Sequence, residues 1–179
     1  MEIPIPKLKA IIRYFCTNTN SVFLGKVKLM KLFYFLDFLH VKKYGTPITY
    51  DDYINLEHGP IPSKILNLVN SVVDNEEDAI LSDTISIERP DGTIMQRIKC
   101  IKNFSDEDKR FFSEREMSIL EEVCARFGNK TTKATENASH EEAPWRLTKE
   151  TEDIPYTLAA QDDDCLVTEQ DIKLLTELI

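Results

Sequence analysis

The sequence is poor in the residues that build common metal and nucleotide sites. Its 179 residues include only five glycines, four cysteines and three histidines. No two cysteines form a CxxC pair, which argues against a zinc ribbon. A glycine-rich phosphate loop, a nucleophile elbow and an HExxH motif are all missing. The sequence therefore gives no motif-level support for a nucleotide-binding protein, a serine hydrolase or a zinc protease, and we expect no cofactor.

The sequence also lacks an excess of basic residues. Residues 1–73 carry a net charge of +4 and residues 74–179 a net charge of −13, which gives −9 for the chain. A protein that binds the phosphate backbone of nucleic acid generally needs a basic face. The charge balance therefore argues against DNA binding.

No apolar run is long enough for a membrane span, which needs about 20 residues. The N-terminus reads MEIPIPKLK and has no apolar signal core. The widely spaced cysteines lie mostly among apolar neighbours, as free core thiols do in a reducing compartment. These features predict a cytoplasmic protein without a membrane partner, folded as one domain over residues 1–179.

One segment, residues 24–45, organises the rest of the chain. Between residues 29 and 41 only Lys31, Asp37 and His40 are not apolar. A helix that is apolar nearly all round must be enclosed by other elements. We therefore predict a central buried helix in a mainly α (α+β), compact helical domain.

The segments around the central helix are predicted from local patterns of apolar, turn and capping residues. Gly45 and Pro47 end the central helix, and one small antiparallel β-hairpin is expected over residues 84–101. Ser105, Ser113 and Thr168 begin patterns typical of helix N-terminal capping boxes. The remaining predicted helices begin near residues 6, 62, 114, 131 and 168, and the last of them carries an apolar stripe that includes Ile179. Residues 140–164 are expected to be mostly irregular.

Three lysines, Lys26, Lys28 and Lys31, cluster near the start of the central helix, where the helix dipole disfavours cations. One interpretation is a solvated helix end with apolar lysine stems packed on the protein. The other is a contact surface for an acidic partner.

Asp37 and His40 are three residues apart and share a helix face. The pair is interpreted either as a base with its orienting group, as two metal ligands, or as a buried ion pair that fixes the helix. If His58 and His140 joined them, the four side chains would suit a metal-dependent hydrolase. The sequence alone leaves these alternatives open.

The single tryptophan, Trp145, follows Pro144. Trp145 is interpreted either as a lid that packs on the helices or as an interface anchor, because tryptophan is over-represented among binding hot spots.

An ordered series of motifs resembles a known family. The motifs are KLMKLFYFLDFLH (residues 28–40), KKYGTPIT (42–49), Y-x5-G-P-x-P (53–62), SHEEAPW (139–145) and IPY (154–156). Together they resemble the Panacea domain, also called the SocA-like antitoxin domain and known from phage-associated proteins.

The resemblance implies a non-enzymatic antitoxin of a toxin–antitoxin system that binds a cognate protein toxin directly. As an alternative, it implies a proteolytic adaptor that delivers its toxin to an AAA+ protease. Some relatives carry an N-terminal helix-turn-helix, but only about 23 residues precede the central helix here, too few for that module. The family pattern implies structural or toxin-binding roles for Lys31, Tyr34, Asp37, His40, Gly45, Pro47, Tyr53, Gly59, Pro60, Pro62, His140, Pro144 and Trp145.

Overall fold

The fold is described from a computed structural model, which covers residues 3–178. Its helices are α1 (Ile5–Asn18), α2 (Lys26–Tyr44), α3 (Ser63–Val73), α4 (Asp106–Lys109), α5 (Glu114–Phe127), α6 (Thr132–Glu141), α7 (Ala143–Arg146) and α8 (Glu169–Glu177), with a 3-10 helix at Tyr156–Gln161. Its strands are β1 (Tyr53–Leu56), β2 (Gly59–Pro62), β3 (Ile85–Glu88), β4 (Arg97–Cys100) and β5 (Asp153–Ile154). The predicted mainly α architecture with antiparallel strands is confirmed.

Helix α2 forms the centre of the core, as its apolar sequence predicts. Every side chain from Lys28 to Lys42 is buried. Helices α5 and α6, strand β2 and the 3-10 helix pack directly against it. Aromatic rings contribute strongly to this packing: Phe35 stacks on Phe127 of α5 with ring centroids 4.0 Å apart.

Gly45 ends α2, as predicted, because it adopts the left-handed conformation with φ of +81°. Its backbone N–H donates to the carbonyl of Val41 over 2.8 Å. The side chain of Leu175 in α8 packs over this glycine, so that a Cβ at position 45 would lie 2.6 Å from Leu175 Cδ1. Gly45 thus ends α2 and also leaves the space in which Leu175 of α8 packs.

Residues 3–178 form two antiparallel sheets, of which only one was predicted. Strands β3 and β4 form the expected hairpin, with Ile85 opposite Cys100. The other sheet has the order β2-β1-β5 and pairs Tyr53 with Pro62 and with Ile154. The prolines of β2 suggest a turn in the sequence, but an edge strand accepts proline because one of its sides needs no hydrogen-bond donors.

Most of the predicted helix boundaries are confirmed. Capping boxes at Ser105, Ser113 and Thr168 begin α4, α5 and α8. Residues 140–164 were expected to be mostly irregular, and they contain α7, β5 and the 3-10 helix. Ile179 lies outside the described residues. Within residues 3–178, no helix combines the length and the apolar character needed to cross a bilayer.

Candidate functional site

The residues of the family pattern are mostly buried. Eleven of the thirteen are buried, and only His140 and Trp145 are half-buried. The buried positions are Lys31, Tyr34, Asp37, His40, Gly45, Pro47, Tyr53, Gly59, Pro60, Pro62 and Pro144. The pattern therefore describes mainly the internal framework of the protein.

Asp37 holds the loop that follows α2. Its carboxylate accepts hydrogen bonds from the backbone N–H of Ile48 (2.7 Å), from the N–H of Thr49 (2.8 Å), from the Thr49 hydroxyl and from the Tyr53 hydroxyl (2.9 Å). Burial disfavours its charge more than these four donors favour it, and the pKa of Asp37 rises to about 6.

His40 does not pair with Asp37. Its Nδ1 atom hydrogen-bonds the carbonyl oxygen of Thr46, in the same loop that Asp37 holds. Burial lowers the pKa of His40 below its usual value. Asp37 and His40 therefore form neither an ion pair nor a base with its orienting group, and both side chains fasten residues 46–49 to the central helix.

Two of the three lysines at the start of α2 are fully buried, so both sequence-based interpretations of Lys28 and Lys31 are wrong. The Lys31 Nζ atom donates to the carbonyl of Pro60 over 2.7 Å. The Lys28 Nζ atom donates to the carbonyls of Gly128 (3.0 Å) and Lys130 (2.5 Å). Burial lowers the pKa of Lys31 to about 7 and that of Lys28 to about 8. Both lysines act as donors that tie other segments to α2.

Gly59 sits where β2, α6 and Lys31 meet. Its φ is +94°, and a Cβ there would lie 2.7 Å from the Ser139 hydroxyl oxygen, 3.1 Å from His140 Nε2 and 3.1 Å from Lys31 Cε. The position therefore excludes a side chain by both conformation and space. The His140 ring stacks on the Trp145 ring with centroids 3.9 Å apart. Lys31, Gly59, His140 and Trp145 thus form a continuous column of contacts from the core to the half-buried tryptophan.

A second polar cluster lies at the other end of α2, and the sequence analysis did not predict it. The Tyr34 hydroxyl donates to Glu142 over 2.9 Å. The Lys42 Nζ atom lies 3.1 Å from Glu142, 3.0 Å from Asp162 and 2.9 Å from Asp164. Burial disfavours the charge of Lys42, but the three carboxylates outweigh it and raise its pKa. The acidic run at residues 162–164 is the sequence feature from which a partner for a buried lysine could have been predicted.

The three histidines and Asp37 do not gather at one point. His58 is exposed and lies 3.8 Å from Glu136, which precedes His140 by one turn of α6. His40 instead contacts Thr46, and its ring lies at a tilt against Tyr44 with centroids 4.9 Å apart. Within residues 3–178, no group of three or more His, Cys, Asp or Glu side chains is arranged to hold a metal ion.

The sequence profile described as antitoxin SocA-like, Panacea domain, matches residues 29–146, about two thirds of the chain. The chain belongs to this family. Neither a curated protein nor a solved structure matches it. The Panacea match begins inside the central helix and ends at α7, so it covers the Asp37 loop, the β1–β2 hairpin and the column from Lys31 to Trp145.

Proposed function

We propose that this Panacea protein is an antitoxin that neutralises a cognate protein toxin by direct binding, without an enzymatic activity of its own. The observation that supports it most is that the polar side chains of the family pattern are engaged internally: Asp37 accepts four hydrogen bonds and Lys31 donates to Pro60. A framework of this kind holds a rigid surface for a partner.

Trp145 is the pattern residue best placed to contact the toxin. Its ring is half-buried, stacked on His140 and held by a 3.5 Å hydrogen bond from Nε1 to the carbonyl of Leu56. Leu147, two residues later, is 57% exposed. A fixed aromatic ring beside an exposed leucine has the composition of a binding hot spot.

We further propose that residues 1–179 act as one cytoplasmic domain. The segment beyond the family match supplies Ile154, Ala159 and Ile172 to the core, and Tyr156 donates to the carbonyl of Asp51 over 2.7 Å. These contacts support a domain that extends past the matched region. No described feature favours a protease contact or a hydrolytic site over toxin binding.

Growth rescue tests the proposal. The protein encoded by the adjacent open reading frame, or another candidate toxin, is induced with and without this chain. We expect the wild-type chain to restore growth and the Trp145→Ala variant to restore it less, with an unchanged circular dichroism spectrum. Leu166→Ala, another exposed apolar residue outside the matched region, serves as the control. If the folded wild-type chain neither binds a candidate toxin nor restores growth, the proposal is wrong.

A further inference from the structure

An apolar groove of about 340 Å³ opens between the start of α1, the loop at residues 49–51 and helix α3. Its walls are mostly aliphatic. Ile80, which lines one side, is 48% exposed. The apolar lining is formed by Ile3, Ile5, Leu8, Ile65, Leu68 and Ile80.

The charged groups on the groove are already paired within the chain. Asp51 accepts from the backbone N–H groups of Lys64 (3.0 Å) and Ile65 (2.8 Å), which begin α3. The Lys64 ammonium lies 3.3 Å from the Asp52 carboxylate. On the exposed side of α1, Lys9 pairs with Asp83. The positive charges around the groove are therefore balanced by carboxylates of the same chain.

The negative charges next to the groove are not balanced in this way. Asp74, Glu76, Glu77 and Asp78 are exposed, and none forms an ion pair with another described residue. This acidic loop (residues 74–78) joins the end of α3 to Ile80. By helix geometry, its first residue lies about 9 Å along α3 from Leu68. A band of unpaired carboxylates thus flanks one end of an apolar groove.

The backbone conformation of Tyr50 is a second observation that supports a binding site at the groove. Its backbone lies in the left-handed region with φ of +56°, which is rare for a bulky residue. Tyr50 is half-buried and is one of the residues that line the groove. Strained residues of this kind concentrate at binding sites, where the surrounding structure holds them in place.

We propose that the groove binds a segment of a partner protein whose apolar side chains fill it and whose lysines or arginines lie against the acidic loop. Charge complementarity decides between occupants, because the acidic loop repels anionic lipids and nucleic acids and attracts a basic segment. The identification of this partner with the toxin rests on the function proposed above; the chemistry of the groove does not.

A model peptide tests the groove independently of the toxin. The probe is a fluorescein-labelled 14-residue helix with leucine on one face and lysine on the other, and its control has glutamate in place of lysine. Fluorescence anisotropy should show at least tenfold tighter binding of the lysine peptide. Ile80→Gln should weaken that binding at least tenfold, whereas Ile94→Gln, at the fully exposed tip of the β3–β4 hairpin, should leave it within twofold.

The acidic loop is tested by neutralising Glu76, Glu77 and Asp78 to their amides. At low salt, this variant should lose at least fivefold in affinity and most of the salt dependence of binding. A control variant neutralises three exposed carboxylates elsewhere in the chain, at Glu121, Glu150 and Asp163, and should behave as the wild type. Equal binding of both peptides, or unchanged binding by Ile80→Gln, would overturn the proposal.

The same variants separate this inference from the proposed function. If the wild-type chain holds its toxin and Ile80→Gln loses at least tenfold in toxin affinity, both stand. If Ile80→Gln binds the toxin with unchanged affinity, the groove is not the toxin-binding site, although the antitoxin function stands. If the peptide binds as expected but no toxin does, the proposed function fails and the groove serves another basic partner. A wild-type dimer that Ile80→Gln converts to monomers would place a second copy there and overturn the proposal.

Discussion

Replacing Lys31 with methionine should stabilise the protein at neutral pH, although it removes a hydrogen bond. The Lys31 side chain is fully buried, and burial lowers its pKa from 10.5 to about 7. The unfolded chain therefore binds more protons than the folded chain between those two pH values, and the stability of the wild type rises with pH across that window. Methionine has a similar length and carries no charge to bury.

The size of the effect follows from the pKa difference. At about 1.4 kcal/mol per pKa unit, the charged lysine costs about 5 kcal/mol of folding free energy at pH 6. Loss of the hydrogen bond to the carbonyl of Pro60 costs the variant about 2 kcal/mol. We therefore expect Lys31→Met to be more stable than the wild type by about 3 kcal/mol at pH 6. Between pH 6 and pH 10 this difference in unfolding free energy should fall by about 4 kcal/mol, so that Lys31→Met becomes slightly less stable than the wild type at pH 10.

Urea unfolding at pH 6, 8 and 10 measures this difference, with the exposed Lys102→Met as a control for removing a surface lysine. The pH dependence is decisive. A free-energy difference that stays constant from pH 6 to pH 10 would contradict the assignment of Lys31 as a buried, desolvated amine. A variant less stable than the wild type by 2 kcal/mol at pH 6 would show that the charged amine is well paired in the fold.

Three further substitutions test the framework around the central helix by urea or thermal unfolding. Asp37→Ala leaves two buried backbone N–H groups without an acceptor and should cost about 4 kcal/mol; a loss below about 1 kcal/mol would show that the loop is held by other contacts. Gly45→Ala should cost more than Gly92→Ala, because both glycines have positive φ but only Gly45 is covered, by Leu175; equal losses would remove the packing argument. Lys42→Met leaves three carboxylates facing one another and should cost about 3 kcal/mol, and unchanged stability would contradict the cluster.

The parts of the fold that local chemistry determines could be predicted from the sequence. The central helix is recognised by its apolar composition, and Gly45 and the capping boxes fix the ends of helices through contacts a few residues apart. The β1–β2 hairpin escaped prediction because Pro60 and Pro62 are typical of turns. Only its position at the edge of a sheet makes these prolines compatible with a strand.

The polar contacts of the candidate site could not be predicted, because their partners lie far away in the sequence. Lys28 donates to carbonyls about 100 residues later, and Lys42 meets carboxylates at Glu142 and Asp162. Nothing near Lys31 in the sequence indicates that the carbonyl of Pro60 will accept a hydrogen bond from its Nζ atom. Asp37 was recognised as buried, but its partners in the following loop were not.

The most direct test of the account is a titration between the purified chain and the protein encoded by its neighbouring open reading frame. Isothermal calorimetry and size-exclusion chromatography would follow the binding, and growth rescue would be measured in parallel. We predict a saturable complex that co-elutes, together with restored growth. If both proteins are folded and no binding heat, co-elution or growth rescue is observed, the claim that the chain neutralises a toxin by direct binding is contradicted.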